Sequence, residues 1–319
     1  MANVYEEEIL PLWTQRFGRM ILEGLSLPPK SSVLDVGCAT GYVALEVLRR
    51  SEDGRVIALD AASPLLDVAR RKAGDLSRRR IFFRSENLKG RLAFADEVFD
   101  LVYANASLLD SPDPPALLKE FARVAKLGGR VMATLPLRGT FCEFYDIYRE
   151  VLTKHDRHQT LERLERHVAR APEPEQAIAW MTAAGLDDVE LVVDEFHLLF
   201  KSSREFFFAP VIEFGPLPAW KEISGKGEEM QQVFWHIKEA IDAYFGERVF
   251  QVTVKAGCVR GRRPEVRREQ TVEVSDDDVQ VLERTSEIVE LNRPKAAATP
   301  SPRAPVPSLL PDEPDDEPS

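Results

Sequence analysis

The stretch Ser32-Val-Leu-Asp-Val-Gly-Cys-Ala-Thr-Gly-Tyr-Val-Ala-Leu-Glu-Val-Leu48 decides the fold of this chain. Val33 to Val36 is a short apolar run containing one acid, the pattern of a parallel strand buried on both faces. Gly37-Cys-Ala-Thr-Gly41 breaks it, and Tyr42 to Leu48 continues with helical spacing and good helix formers. Strand, glycine-bearing turn and helix N-terminus together make a small-molecule cradle, because few Cβ atoms keep a ligand from the backbone. Asp35 bears on the charge of that ligand. A dinucleotide fingerprint, Gly-x-Gly-x-x-Gly, seats an anionic pyrophosphate on helix N–H groups and places an acid ~20 residues later. Here the spacing is Asp35-x-Gly37-x-Ala39-x-Gly41. A carboxylate just ahead of the turn suits a cation better than an anion.

Arg55-Val-Ile-Ala-Leu-Asp60 reads as a second buried strand ending in an acid, one β-α-β unit after the first. Ala61-Ala-Ser-Pro64 then opens a helix with proline at its first turn. An acid at that strand end is suited to accept both ribose hydroxyls of an adenosine. The pattern D-x-G-x-G-x-G resembles motif I of the class I, Rossmann-like, S-adenosylmethionine-dependent methyltransferases, with Ala39 in place of the middle glycine. That resemblance implies S-adenosylmethionine as cofactor. It places the methionine part at Asp35, Gly37, Cys38, Ala39 and Gly41, the ribose on Asp60, and adenine beside Ala61. Glu86 or Asn87, after the third strand Ile81–Arg84, takes the place of the family's adenine-binding acid. Leu92 to Asn105 resembles the family's LPF-x-D-x-x-FD-x-V passage into a fourth strand. Asp100 then reads as a structural turn residue, and Asn105 faces the site of methyl transfer. No Asn/Asp-Pro-Pro-Tyr motif follows Asn105, which argues against methylation of an adenine or glutamine amino group.

A helix over Pro115–Lys126, a Gly128-Gly129 turn and a strand over Arg130–Leu135 extend the resemblance to roughly residues 5–136. Strands alternating with helices predict an α/β fold. The expectation is a doubly wound, mostly parallel seven-stranded sheet with an antiparallel last strand. Ahead of it, Glu6–Leu25 predicts an amphipathic cap helix within residues 1–30, with Tyr5 as a lid residue. Beyond Pro136, the aromatic-rich segment at Phe141, Phe144, Tyr145 and Tyr148 falls in an expected acceptor lid over 137–180, although half of these rings are expected to be core. A helix over Glu173–Ala184 leads into a strand from Gly185 to Phe200. A helix over Gln232–Phe245 leads into a last strand over Phe250–Val259. In general layout this resembles small-molecule methyltransferases, including the malonyl-carrier-protein methyltransferase of biotin synthesis.

Composition bounds the rest. The chain has 319 residues, 44% of them apolar, enough for a sizeable core. Its three cysteines, Cys38, Cys142 and Cys258, form no disulfide framework or zinc motif, and His155 with His158 lacks a third metal ligand. No apolar run spans a bilayer and the acidic N-terminus is not a signal pattern, so a cytoplasmic setting is expected. Residues 264–319 carry 14 acids against 6 bases, most of the formal charge of −11. Without a basic footprint, nucleic acid is not an expected partner. The clusters Arg78-Arg79-Arg80 and Arg262-Arg263 read as solvated loop ends. The domain is expected to end near residue 263. The acidic, proline-rich tail is expected to be mostly disordered, with a short helix over 275–291 and a protein partner as its possible use. These readings imply a methyltransferase acting on a small-molecule or carrier-bound acceptor. The alternative is a non-catalytic relative working through its tail, and glycine spacing disfavours a nicotinamide oxidoreductase.

Overall fold

The computed structural model describes residues 1–87, 90–246 and 248–266. Its frame is a seven-stranded sheet: β1 (Ser32–Val36), β2 (Arg55–Asp60), β3 (Ile81–Ser85), β4 (Phe99–Asn105), β5 (Ala125–Pro136), β6 (Asp187–Phe200) and β7 (Phe250–Arg262). They are ordered β3-β2-β1-β4-β5-β7-β6. The first five pair in parallel, and β7 lies antiparallel between β5 and β6. This is the doubly wound sheet with an antiparallel last strand that the alternation predicts. Strand order reverses between β1 and β4, and ligand crevices of such sheets open at the C-terminal ends of strands flanking the reversal.

The central strands are apolar without interruption because both faces are covered. Val33, Leu101, Tyr103 and Met132 pack on one face with the helices Thr14–Leu22, Tyr42–Arg50 and Cys142–Lys154. Leu34, Val36, Val102, Ala104 and Val131 pack on the other with Pro114–Val124 and Pro174–Ala183. Asp113 caps the former of these helices by accepting from the Ala116 N–H at 3.0 Å. β5 begins at once after it, so Gly128 and Gly129 lie inside an irregular strand rather than in a separate turn.

Four expectations need correction. The N-terminal helix is not continuous: a helical turn at Ala2–Val4 passes into a π-helical segment, Tyr5–Ile9, and regular helix resumes only at Thr14–Leu22. Pro11 is the cause, since it has no N–H and its ring clashes with the preceding turn. Arg80 is not a solvated loop end. It donates to the carbonyls of Gly54 (3.0 Å) and Leu48 (3.4 Å), and to that of Ser51. Arg263 likewise holds the carbonyls of Arg123 and Ala125. A helix at His158–Val168 and short helices between Ser203 and Ile223 also escaped the sequence pattern. The former places Leu161, Leu164 and Val168 at helical spacing, but these are its only three apolar residues in eleven, and it buries only Thr160 and Leu164. The tail expectations, disorder and a helix over 275–291, lie outside the described residues. Among the described residues no helix is long and apolar enough to cross a membrane.

Phe121 is fully buried between Pro114–Val124 and the sheet. Phe121→Ala is expected to cost about 3–5 kcal/mol in denaturant unfolding, while the exposed Phe208→Ala changes stability by less than about 0.5 kcal/mol.

Candidate functional site

The turn after β1 is held by the end of β2. Leu59 O accepts the N–H groups of both Gly37 (2.8 Å) and Cys38 (2.9 Å). The Asp60 carboxylate accepts the Ala39 N–H at 2.8 Å with one oxygen and the Ala62 N–H at 2.8 Å with the other. Gly41 N–H closes the turn onto Cys38 O at 2.8 Å, and Gly41 O receives Leu45 N–H to begin the helix Tyr42–Arg50. Gly37 and Gly41 both sit at positive φ, +79° and +77°, where a side chain would be strained. At Gly41 a Cβ would also lie 3.2 Å from that of Ala69. Ala39 adopts φ +47° and is the residue here that pays the left-handed penalty despite carrying a Cβ.

Those contacts have a chemical consequence. Four N–H groups of the turn are engaged within the protein, so they do not fan out toward a pyrophosphate. What the turn presents instead is acidic and polar. Asp35 is 1% exposed, and its Oδ2 accepts the Tyr103 hydroxyl at 2.8 Å. Among the described residues its Oδ1 has no hydrogen-bond partner, nor does the buried Thr40 Oγ1. Burial pushes the Asp35 carboxyl up to about 8 against the pull of the Tyr103 hydrogen bond, with the nearby Asp60 charge adding to the rise. Buried polar atoms are nearly always satisfied, and here two orphans lie five residues apart, one at the end of β1 and one in the glycine-bearing turn that follows it.

The N-terminal segment closes over this edge. Tyr5 donates to or accepts from Thr14 Oγ1 at 2.6 Å, and its hydroxyl, raised to about 12 by burial, feels Asp60 and Cys38. Glu6 pairs with Lys72 of the helix Ser63–Ala73. Asn105, at the end of β4, donates to Thr14 O at 3.0 Å and accepts from Thr134 Oγ1 at 2.8 Å. Both ends of its amide are therefore engaged in fastening the N-terminal helix to the sheet. Ser107 Oγ donates to Val36 O at 2.7 Å, tying the loop after β4 to β1.

The expected residues thus fall into groups. Asp35, Gly37, Cys38, Ala39, Gly41, Asp60 and Ala61 line the adjoining ends of β1 and β2. Glu86 reaches the same edge, donating its N–H to Asp60 O at 3.1 Å, with its carboxylate 3.1 Å from Arg84; Asn87 is exposed beside it. Asp100 lies at the opposite end of β4, accepting from Ser32 N–H and Lys126 Nζ, both at 2.8 Å, which is the structural task expected of it. Phe141, Phe144, Tyr145 and Tyr148 are all buried, so the core claims more than the expected half. Trp220 stacks on Phe144 with centroids 4.1 Å apart and donates from Nε1 to Tyr145 Oη at 3.1 Å. Tyr103 and Thr40 were missed. Tyr103 reads as one more apolar residue of β4, and only its register opposite Asp35 reveals the pairing.

Against known proteins, the methyltransferase domain family model matches residues 33–129. Over 144 residues the chain is 35% identical to a malonyl-[acyl-carrier protein] O-methyltransferase of Halorhodospira halophila, covering 42% of this chain and 48% of the relative. It is 30% identical over 188 residues to the methyltransferase GfsG of Streptomyces halstedii, covering 56% and 60%. A demethylmenaquinone methyltransferase of Renibacterium salmoninarum is 30% identical over 141 residues, covering 44% and 56%. The chain thus spans about half the length of the curated relatives it matches. Among solved structures, YcgJ of Bacillus subtilis aligns with TM-score 0.52 and 18% identity, over 79% of this chain and 100% of that one. A candidate methyltransferase of Bacillus halodurans C-125 aligns with TM-score 0.51 and 20% identity, over 77% and 98%. These two show a shared fold.

The Asp35 proton gives the chain a pH signature. Between the ordinary carboxyl value of 3.8 and the folded value of about 8, the folded state keeps a proton that the unfolded chain has released. Stability therefore falls as pH rises through that window. Between pH 5 and pH 8, denaturant titrations are expected to show the wild-type chain losing more than about 1.4 kcal/mol, and Asp35→Asn losing less.

Proposed function

We propose that this chain is an S-adenosylmethionine-dependent methyltransferase acting on a small-molecule or carrier-bound acceptor. The observation that carries the proposal is the buried, half-satisfied Asp35 carboxyl beside a turn whose N–H groups are already engaged. Such a cradle favours a cationic ligand over a pyrophosphate. Asp35 and the turn Gly37–Gly41 hold the amino-acid end of the cofactor. Asp60, whose oxygens each accept one backbone N–H and retain a second lone pair, takes the ribose hydroxyls. Ala61, Glu86 and Asn87 border the adenine, and Asn105 fixes the N-terminal helix over the transfer site. When bound, S-adenosylmethionine supplies an electrophilic methyl group on a sulfonium. The chain's part is to bind, orient and exclude water, because an activated donor gains most from a correctly placed acceptor.

For the acceptor, the names of the relatives support the class: a malonyl-carrier protein for one and demethylmenaquinone for another. The helices after β5, including Cys142–Lys154, form the acceptor side of the site.

Titration calorimetry is expected to show binding of S-adenosylmethionine and no heat from NADH. Asp60→Ala is expected to weaken cofactor binding by about tenfold or more. A thermal melt checks that the turn survives loss of the bonds to Ala39 and Ala62. Unchanged affinity in a folded Asp60→Ala variant, or preferential binding of NADH, would falsify the site assignment.

A further inference from the structure

Asp35 and Tyr103 face each other in register across β1 and β4. Both are buried, Asp35 at 1% and Tyr103 at 0% exposure, and the phenol donates to Asp35 Oδ2 at 2.8 Å. The groups that act on this carboxyl come from two strands and the turn: Tyr103 on β4, Asp60 at the end of β2, and Cys38 in the turn after β1. None is a cation. A buried carboxylate ordinarily has a basic partner, and here a single hydroxyl stands in that place. Burial and the Asp35 charge hold the Tyr103 phenol well above its usual range, so it stays a donor at every working pH.

We propose that Tyr103 is a positioning residue for the cofactor: its hydroxyl fixes one oxygen of Asp35 and leaves the partnerless Oδ1 for the ammonium of S-adenosylmethionine. The proposal rests on the cofactor assignment above. In the ligand-free chain Asp35 carries a proton at neutral pH. The arriving ammonium provides the missing counter-charge, the proton leaves to solvent, and the carboxylate remains, held by the phenol. Removing the hydroxyl takes away the one donor that favours the ionised form. Binding then needs a higher pH, while the ring still fills the same space.

The test is calorimetric titration of S-adenosylmethionine into the full chain and into Tyr103→Phe from pH 6 to pH 9. Up to about pH 8 the wild type is expected to bind more tightly as pH rises, until the α-amino group of S-adenosylmethionine itself loses its proton. Tyr103→Phe is expected to bind about tenfold or more weakly at pH 7, with a deficit that narrows by pH 9. A packing role would give a deficit of one size at every pH, or none, and either result overturns the proposal. A second measurement needs no variant: titrations at pH 7 in buffers of different ionisation enthalpy are expected to show wild-type binding release close to one proton. Binding without proton release also overturns it. A wild-type chain that binds no S-adenosylmethionine at any pH removes the cofactor assignment itself, an outcome distinct from both.

Discussion

Everything at the functional edge depends on the way the end of β2 grips the turn after β1. Leu59 O and the Asp60 carboxylate together take three consecutive N–H groups, from Gly37, Cys38 and Ala39. Without those bonds the turn has no reason to fold back, and the helix Tyr42–Arg50 loses its starting point on Gly41. Because Asp60 also receives the Ala62 N–H, one carboxylate fixes the turns after both β1 and β2. The two strand ends become a single rigid rim.

In the proposed reading, that grip also bears on the choice of ligand. A phosphate-binding turn keeps its N–H groups for the ligand, whereas this one engages them internally and leaves acidic and hydroxyl oxygens. Asp35 is the extreme case, fully buried and, among the described residues, with no basic side chain acting on it. The fold tolerates it by leaving it protonated and by supplying one phenol. The proposed cationic ligand would complete what the protein leaves unfinished, so the least comfortable residue of the core is also its most informative.

Much of this was legible in the residues. β1, β2 and β4 are short apolar runs closed by acids, Asn or Gly, and such punctuation survives any tertiary context. Asp35 and Asp60 stood out because each is a polar interruption at a strand end. The break at Pro11 was equally legible from the missing N–H, but the apolar spacing around it suggested an unbroken helix. Tyr103 was not legible. Its partner lies 68 residues away, and the pairing exists only once β1 and β4 are in register. Arg80 and the four aromatic residues of 141–148 were misplaced for the same reason: whether a charge meets water or a carbonyl, and whether a ring lines a pocket or a core, is decided by neighbours distant in the chain.

The N-terminal segment adds the final layer, with Tyr5, Thr14 and Asn105 joining the first residues to β4 across the cradle. A ligand seated beneath it would be shielded from solvent on that side. The central claim is that the rim of β1 and β2 is the cofactor site, and hydrogen–deuterium exchange with and without S-adenosylmethionine tests it most directly. The account predicts slower exchange at amides of Gly37–Gly41 and Asp60–Ala62, with none at His155–Arg157 on the far helices. Unaltered exchange along the rim in the presence of saturating cofactor would contradict it.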